Sequence, residues 1–210
     1  MKSIIQTMSL SRFETYLKAA GFDEERALQL YVWNARIGGA FQLPIQAVEV
    51  SLRNCINSVL IQDFGQDWYD SAAFKGMICD DRERQSDLKT MRTRLRKRRV
   101  KLENGQVVAT LSFGFWVGLL APKYNPPFWG RNLRKAFPHV PETVTRKTMF
   151  DACGKIARFR NRIFHHEPII KADIGLEYAH MLEVLGYMCP DTLDFIRRYS
   201  EIPELLRSKP

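Results

Sequence analysis

Residues 142–168 read ETVTRKTMFDACGKIARFRNRIFHHEP. Val144, Met149, Ile156, Phe159 and Ile163 recur at helical spacing, which predicts a long helix from about Glu142 with one apolar stripe turned inward. Pro168 disfavours helical geometry at Glu167, so the helix is expected to end at His165 or His166. That end carries Arg160, Asn161, His165 and His166. Arginine is a permanent planar cation that can hold phosphate with two hydrogen bonds, and histidine can exchange a proton near neutrality.

The segments upstream also read as helices. Ser9 and Ser11 are candidate N-caps for a short helix running to Ala20, and Gly21 suits the residue just past its end. Asp23-Glu24-Glu25 places negative charge in the first turn of a second helix. Leu28, Tyr31, Val32 and Ala35 form its stripe, and Gly38-Gly39 predicts a break or kink. Pro44 opens the next helix. From Ile45 to Phe64 its apolar face comprises Val48, Leu52, Cys55, Ile56, Val59 and Leu60, with Glu49, Arg53 and Asn54 as polar exceptions.

Residues 80 to 103 read as a largely solvated helix anchored by Leu88, Met91, Leu95 and Leu102, with a turn signal at Asn104-Gly105. Its most basic stretch, 89 to 101, includes Arg92, Arg96, Lys97 and Arg99. Thr110 to Leu120 is apolar enough for core. Pro122, Pro126 and Pro127 predict a loop, followed by a short element from Trp129 to Phe137. Beyond the quoted stretch, two more helices are expected at about 172 to 187 and 191 to 199. No strand alternation or internal repeat is evident, so the reading is an all-α bundle in one domain, 1–210, with the basic segment and a loop insertion at about 80–140.

The 210 residues suffice for one sizeable core. A net charge of +9 and a pI near 9.5 suit a polyanionic partner such as nucleic acid or an acidic membrane surface. The four cysteines, Cys55, Cys79, Cys153 and Cys189, are far apart and form no CxxC pair, which argues against a disulfide framework or zinc ribbon. No uncharged apolar run approaches the roughly 18 residues of a membrane span. The expectation is a cytoplasmic protein with reduced thiols and no membrane partner.

On a helix, Asn161 lies one turn below His165 and is expected to hydrogen-bond or orient its ring. Arg160 stands about 140° round the helix from His165. One helix therefore does not converge the two, and a second copy packed across a two-fold axis would. The competing account makes these residues a solvated helix end with histidines complementing the dipole. A metal site at His165, His166 and Glu167 is disfavoured because consecutive side chains diverge and no spaced ligand partner is evident.

Arg160-Asn161-Arg162-Ile163-Phe164-His165 fits R-N-x-x-x-H and so resembles the signature of HEPN-domain ribonucleases. Its extension into His166-Glu167-Pro168 resembles the Abi-like (abortive infection, AbiD/AbiF-type) branch. Tyr31-x-Trp33-Asn34, Glu49-Val50-x-Leu52-Arg53-Asn54, Gly65-x-x-Trp68-Tyr69 and Ser112-Phe113-Gly114-Phe115-Trp116 follow the same order and spacing, so the resemblance covers about residues 10 to 190.

The resemblance implies a HEPN-like bundle that forms a homodimer and cleaves RNA at a composite site without metal or cofactor. Arg160 and His165 would be the catalytic pair, with Asn161 positioning the histidine. His166, Glu49, Arg53 and Asn54 would support the site, the other account of the Glu49 segment being a salt bridge between helices. The chemistry implied is attack of a ribose 2′-OH on the adjacent phosphorus, giving a 2′,3′-cyclic phosphate and a 5′-OH. Arg92, Arg96, Lys97 and Arg99 are the expected RNA guide, against a face that merely confers solubility. Trp116, Phe128 and Trp129 fit core packing better than base stacking. A non-catalytic RNA-binding or interaction module on the same fold is the second reading. A third makes the protein a toxin governed by an antitoxin or a phage-derived trigger, in keeping with the antiphage defence that the resemblance suggests.

Overall fold

The computed structural model describes residue 7, residues 10–125 and residues 127–210, and every regular element among them is helical. The helices are α1 (Leu10–Ala19), α2 (Glu24–Ala40), α3 (Gln42–Phe64), α4 (Ala72–Met77), α5 (Arg82–Lys97) and α6 (Asn104–Thr110). They continue with α7 (Phe113–Gly118), a 3-10 turn at Pro122–Tyr124, α8 (Trp129–Ala136), α9 (Arg146–Phe164), α10 (Ile174–Met188), α11 (Pro190–Tyr199) and α12 (Ile202–Arg207). No described helix is long and apolar enough to cross a membrane.

The spine of the bundle is α3. It packs against α10, α8, α7, α11, α2 and α6, and buries Val48, Leu52, Ile56, Val59 and Leu60 along one side. Helix α9 lies against α10 and α7 through Met149, Cys153, Ile156 and Phe159, one stripe of the 3.6-residue period. Phe41 joins the two layers, its ring meeting Phe159 edge-on at 4.9 Å. The buried apolar side chains form one cluster that runs from Phe13 to Leu205.

Local chemistry explains most boundaries. Asp23 caps α2 by accepting from the Arg26 amide, and Asp81 does the same for α5 from Arg84. Helix α9 begins at Arg146, four residues after the expected Glu142, because Thr145 and Thr148 form a reciprocal capping box. Val144 is buried but precedes the helix. Gly21, with φ of +65°, ends α1 as anticipated; the cap proposed at Ser9 lies outside the described residues, as does Pro126.

Three expectations required correction. Helix α2 runs unbroken through Gly38-Gly39, and the chain turns at Phe41. Helix α5 stops at Lys97, not 103, because Arg99 takes φ of +56° and the Val100 amide returns to the Leu95 carbonyl. Leu102 therefore lies beyond the helix, and Asn104-Gly105 opens α6 instead of making a turn. The last helix, α12, was not anticipated.

Candidate functional site

The C-terminus of α9 is built as a complete Schellman motif. His165 is the cap residue and His166 takes the left-handed conformation with φ of +54°. The His166 amide donates to the Ile163 carbonyl and the Glu167 amide to that of Arg162, each at 2.9 Å. Glycine is the usual residue at the left-handed position, so a histidine there carries a conformational cost. Arg162 fastens the loop beyond by donating to the Pro168 carbonyl at 2.8 Å, and its guanidinium lies 3.6 Å from Glu167. From α2, Asn34 accepts from the Ile169 amide at 2.7 Å.

Arg160 points to α3. Its Nε donates to Glu49 at 2.8 Å, and its guanidinium lies over the Phe164 ring at 4.3 Å, one turn along α9. Nη1 donates to Asn161 Oδ1 at 3.2 Å. The amide oxygen of Asn161 is thus turned to Arg160. Asn161 meets His165 only through the helix backbone, where the His165 amide donates to the Asn161 carbonyl. The expected side-chain contact between Asn161 and His165 is not made, because the neighbouring guanidinium is the stronger partner. His165 is exposed.

Glu49 and Arg53 line a surface cleft of about 360 Å³ together with Gln42, Gln46, Val50 and Phe164. The inter-helix ion pair anticipated for this segment exists, but the cation is Arg160; Glu49 and Arg53 do not pair along α3. Arg53 Nε is buried without a hydrogen-bond partner, and Asn54 is exposed on the same helix. Arg53 thus brings a cationic guanidinium to the cleft lining, with its Nε sealed beneath the surface and unpaired.

A second cavity, about 280 Å³, shares Phe164 and Gln42 with this cleft. Its lining includes Tyr16, Tyr31, Asn34, Gly39 and His166. Residue spacing assigned no function to Tyr16, and nothing in one sequence connects it with His166. Tyr31 and Asn34 stood out through the Tyr31-x-Trp33-Asn34 segment, His166 as a supporting residue, and Gly38-Gly39 only as an expected break.

The basic stretch lies elsewhere. Arg92 is already committed, donating to Asp70 and to the Tyr69 carbonyl. Arg96, Lys97 and Arg99 are exposed. The loop and helix that hold this region meet α3 at Asn57, which bonds Trp68 and Asn104. Asn57 is eight residues beyond Glu49, or about 12 Å along the axis. Among the described residues no hydrogen bond or ion pair joins the stretch to Arg160, Asn161 or His165.

Trp116, Phe128 and Trp129 are buried, which makes them core. The other singled-out segments also have structural work: Trp33 donates to the Leu205 carbonyl, Trp68 to Asn57, and Ser112 caps α7 by accepting from Phe115. All four cysteines are free, and burial pushes the Cys153 thiol up to about 12 and Cys55 up to about 11.

A search of family models, of curated proteins and of solved structures finds no match to this chain.

Proposed function

We propose that the protein is a metal-independent endoribonuclease of the HEPN type, acting through the R-N-x-x-x-H residues at the end of α9. The observation that supports this is that Arg53 of α3 lines the cleft beside that signature, while Arg160 of α9 contacts two further residues of its lining, Glu49 and Phe164. Arg53 supplies a guanidinium to the cleft lining, and Arg160 is held in a fixed orientation by Glu49 and Phe164. Such an arrangement suits a phosphodiester, whose charge grows in the transition state.

In this reading Arg160 neutralises the phosphorane-like transition state and His165 exchanges protons with the attacking 2′-OH and the leaving 5′-oxygen. Arg160 and His165 diverge on their helix, so the working site takes its histidine from a second copy of the chain across a two-fold axis. RNA is the substrate class, and antiphage growth arrest under an antitoxin or phage-derived trigger is the role that fits.

A non-catalytic RNA-binding module is favoured by one observation: in a single chain Arg160 is neutralised by Glu49, and His165 faces solvent. Incubation of the protein and its His165→Ala variant with total RNA and EDTA separates the two. Fragments ending in cyclic phosphates from the parent alone support the nuclease; binding without cleavage supports the module.

A further inference from the structure

We propose that the cavity bounded by Tyr16, Tyr31, Asn34, Gly39, Phe164 and His166 receives one nucleobase of a single-stranded RNA whose backbone crosses the adjacent cleft. The proposal rests on the ribonuclease reading for its substrate class.

Three observations converge. The first is that Gly38 and Gly39 sit inside α2 with ordinary helical backbone, where glycine is unfavourable relative to alanine. A Cβ on Gly39 would meet nothing within 4 Å, and one on Gly38 only Ile163 Cγ2 at 3.7 Å, an ordinary contact. Neither a turn nor a close approach requires them. What their missing side chains leave is the open space.

The second is Tyr16, whose side chain is buried at 2% exposure while its hydroxyl makes no hydrogen bond to any described residue. That hydroxyl is not sealed from the surface, so a ligand or water in the cavity can complete it. Tyr31 crosses Tyr16 edge-on at 5.2 Å and also lines the space. Asn34 has its oxygen engaged by the Ile169 amide, which leaves its NH2 group as the available donor.

The third is position. Phe164 and Gln42 belong to both the cavity and the Arg53 cleft, so one ligand can span the two. Phe164 is 46% exposed and carries Arg160 on its ring. His166 is held in its costly left-handed conformation at the rim. Aromatic faces with hydroxyl and amide donors match a nucleobase, flat on its faces and hydrogen-bonding at its edge. A volume near 280 Å³, at the low end for ligand pockets, suits one ring system rather than several.

The test uses a 2′-O-methyl RNA hexamer, which cannot be cut by 2′-OH attack, and the same hexamer with an abasic residue moved through each position. With the wild-type chain, one abasic position is expected to weaken binding about tenfold, the scale of a stacked base. Gly39→Leu fills the cavity and should bind the intact hexamer about tenfold more weakly, with no further loss at that abasic position. Its melting temperature should not fall, since leucine is the better helix former, which separates filling from unfolding.

A nucleoside 5′-monophosphate that binds the wild type as tightly as the hexamer, and is lost in Gly39→Leu, assigns the same base chemistry to a free nucleotide. Indifference to abasic residues everywhere, or wild-type binding by a folded Gly39→Leu, overturns the proposal. Abasic sensitivity with ordinary RNA left uncut would sink the nuclease reading and keep the base site; cleavage without abasic sensitivity would do the reverse.

Discussion

Glu49 of α3 and Arg160 of α9, 111 residues apart in sequence, meet at 2.8 Å, so the arginine is oriented by a carboxylate from another helix. Both side chains are partly solvated, and an ion pair of that kind contributes about 0–1 kcal/mol. Glu49→Gln is therefore expected to change urea stability by less than about 1 kcal/mol. In a cleavage assay the same variant should lose at least about tenfold in rate, a barrier increase of roughly 1.4 kcal/mol, while binding RNA no more weakly. A variant that cuts at the parental rate would remove Glu49 from the site.

His166 occupies a left-handed backbone position that glycine adopts freely. His166→Gly should stabilise the fold by about 0.5–1 kcal/mol in chemical denaturation, relief of the strain outweighing the added entropy of the unfolded chain. A loss of stability would mean that the imidazole makes a contact of its own.

Gly118 is a case where sterics do require glycine. A Cβ there would stand 1.1 Å from Arg84 Nη1. Arg84 is 2% exposed and cannot simply swing away, because it donates to the Gly114 and Phe115 carbonyls and to Asp87, and is paired with Glu83. Gly118→Ala is expected to cost about 2–3 kcal/mol through guanidinium hydrogen bonds left unmade in the interior. Thermal or urea unfolding reads this directly, and a neutral result would show that Arg84 has another low-energy position.

Asp81 supplies a pH test. Burial alone would raise its pKa, but hydrogen bonds from Tyr124, the Arg84 amide and Lys123 outweigh that and bring it down from 3.8 to about 2. A depressed carboxylate stabilises the fold fully above its unfolded pKa and loses that contribution as pH falls through the folded value. The advantage of the parent over Asp81→Asn should thus be about 2 kcal/mol larger at pH 6 than at pH 2, the loss falling mainly between pH 4 and 2. An advantage that does not change with pH would contradict this account.

If the exposed cations of α5 and its end guide RNA, charge removal has a quantitative signature. Arg96→Ala, Lys97→Ala and Arg99→Ala together should lower the slope of log K against log salt by about 2, near 0.7 for each phosphate no longer neutralised. Arg92→Ala should instead destabilise the fold, because Arg92 ties α5 to Asp70 and the Tyr69 carbonyl. An unchanged salt slope in the triple variant would reduce the basic face to a solubility device.

Much of the fold was legible in the sequence. The α9 stripe at Met149, Ile156 and Phe159, the acidic first turn of α2 at Glu24 and Glu25, the stop at Gly21 and the end of α9 at His165 follow from interactions within a few residues. Two of the errors were also local and concerned where a helix is capped. Thr145 superseded Glu142 as the start of α9, and Arg99 ended α5 without a glycine to announce it.

The site divides along the same line. Its residue types and their place at a helix end are written in residues 160–168, because helix periodicity and proline geometry act over single turns. Which carboxylate holds Arg160, which way Asn161 turns, where Arg53 is left unpaired and how two glycines open a cavity against Phe164 were decided only in three dimensions. Those partners lie far apart in the chain, and the packing of whole helices, rather than the preference of any residue, sets the distances between them.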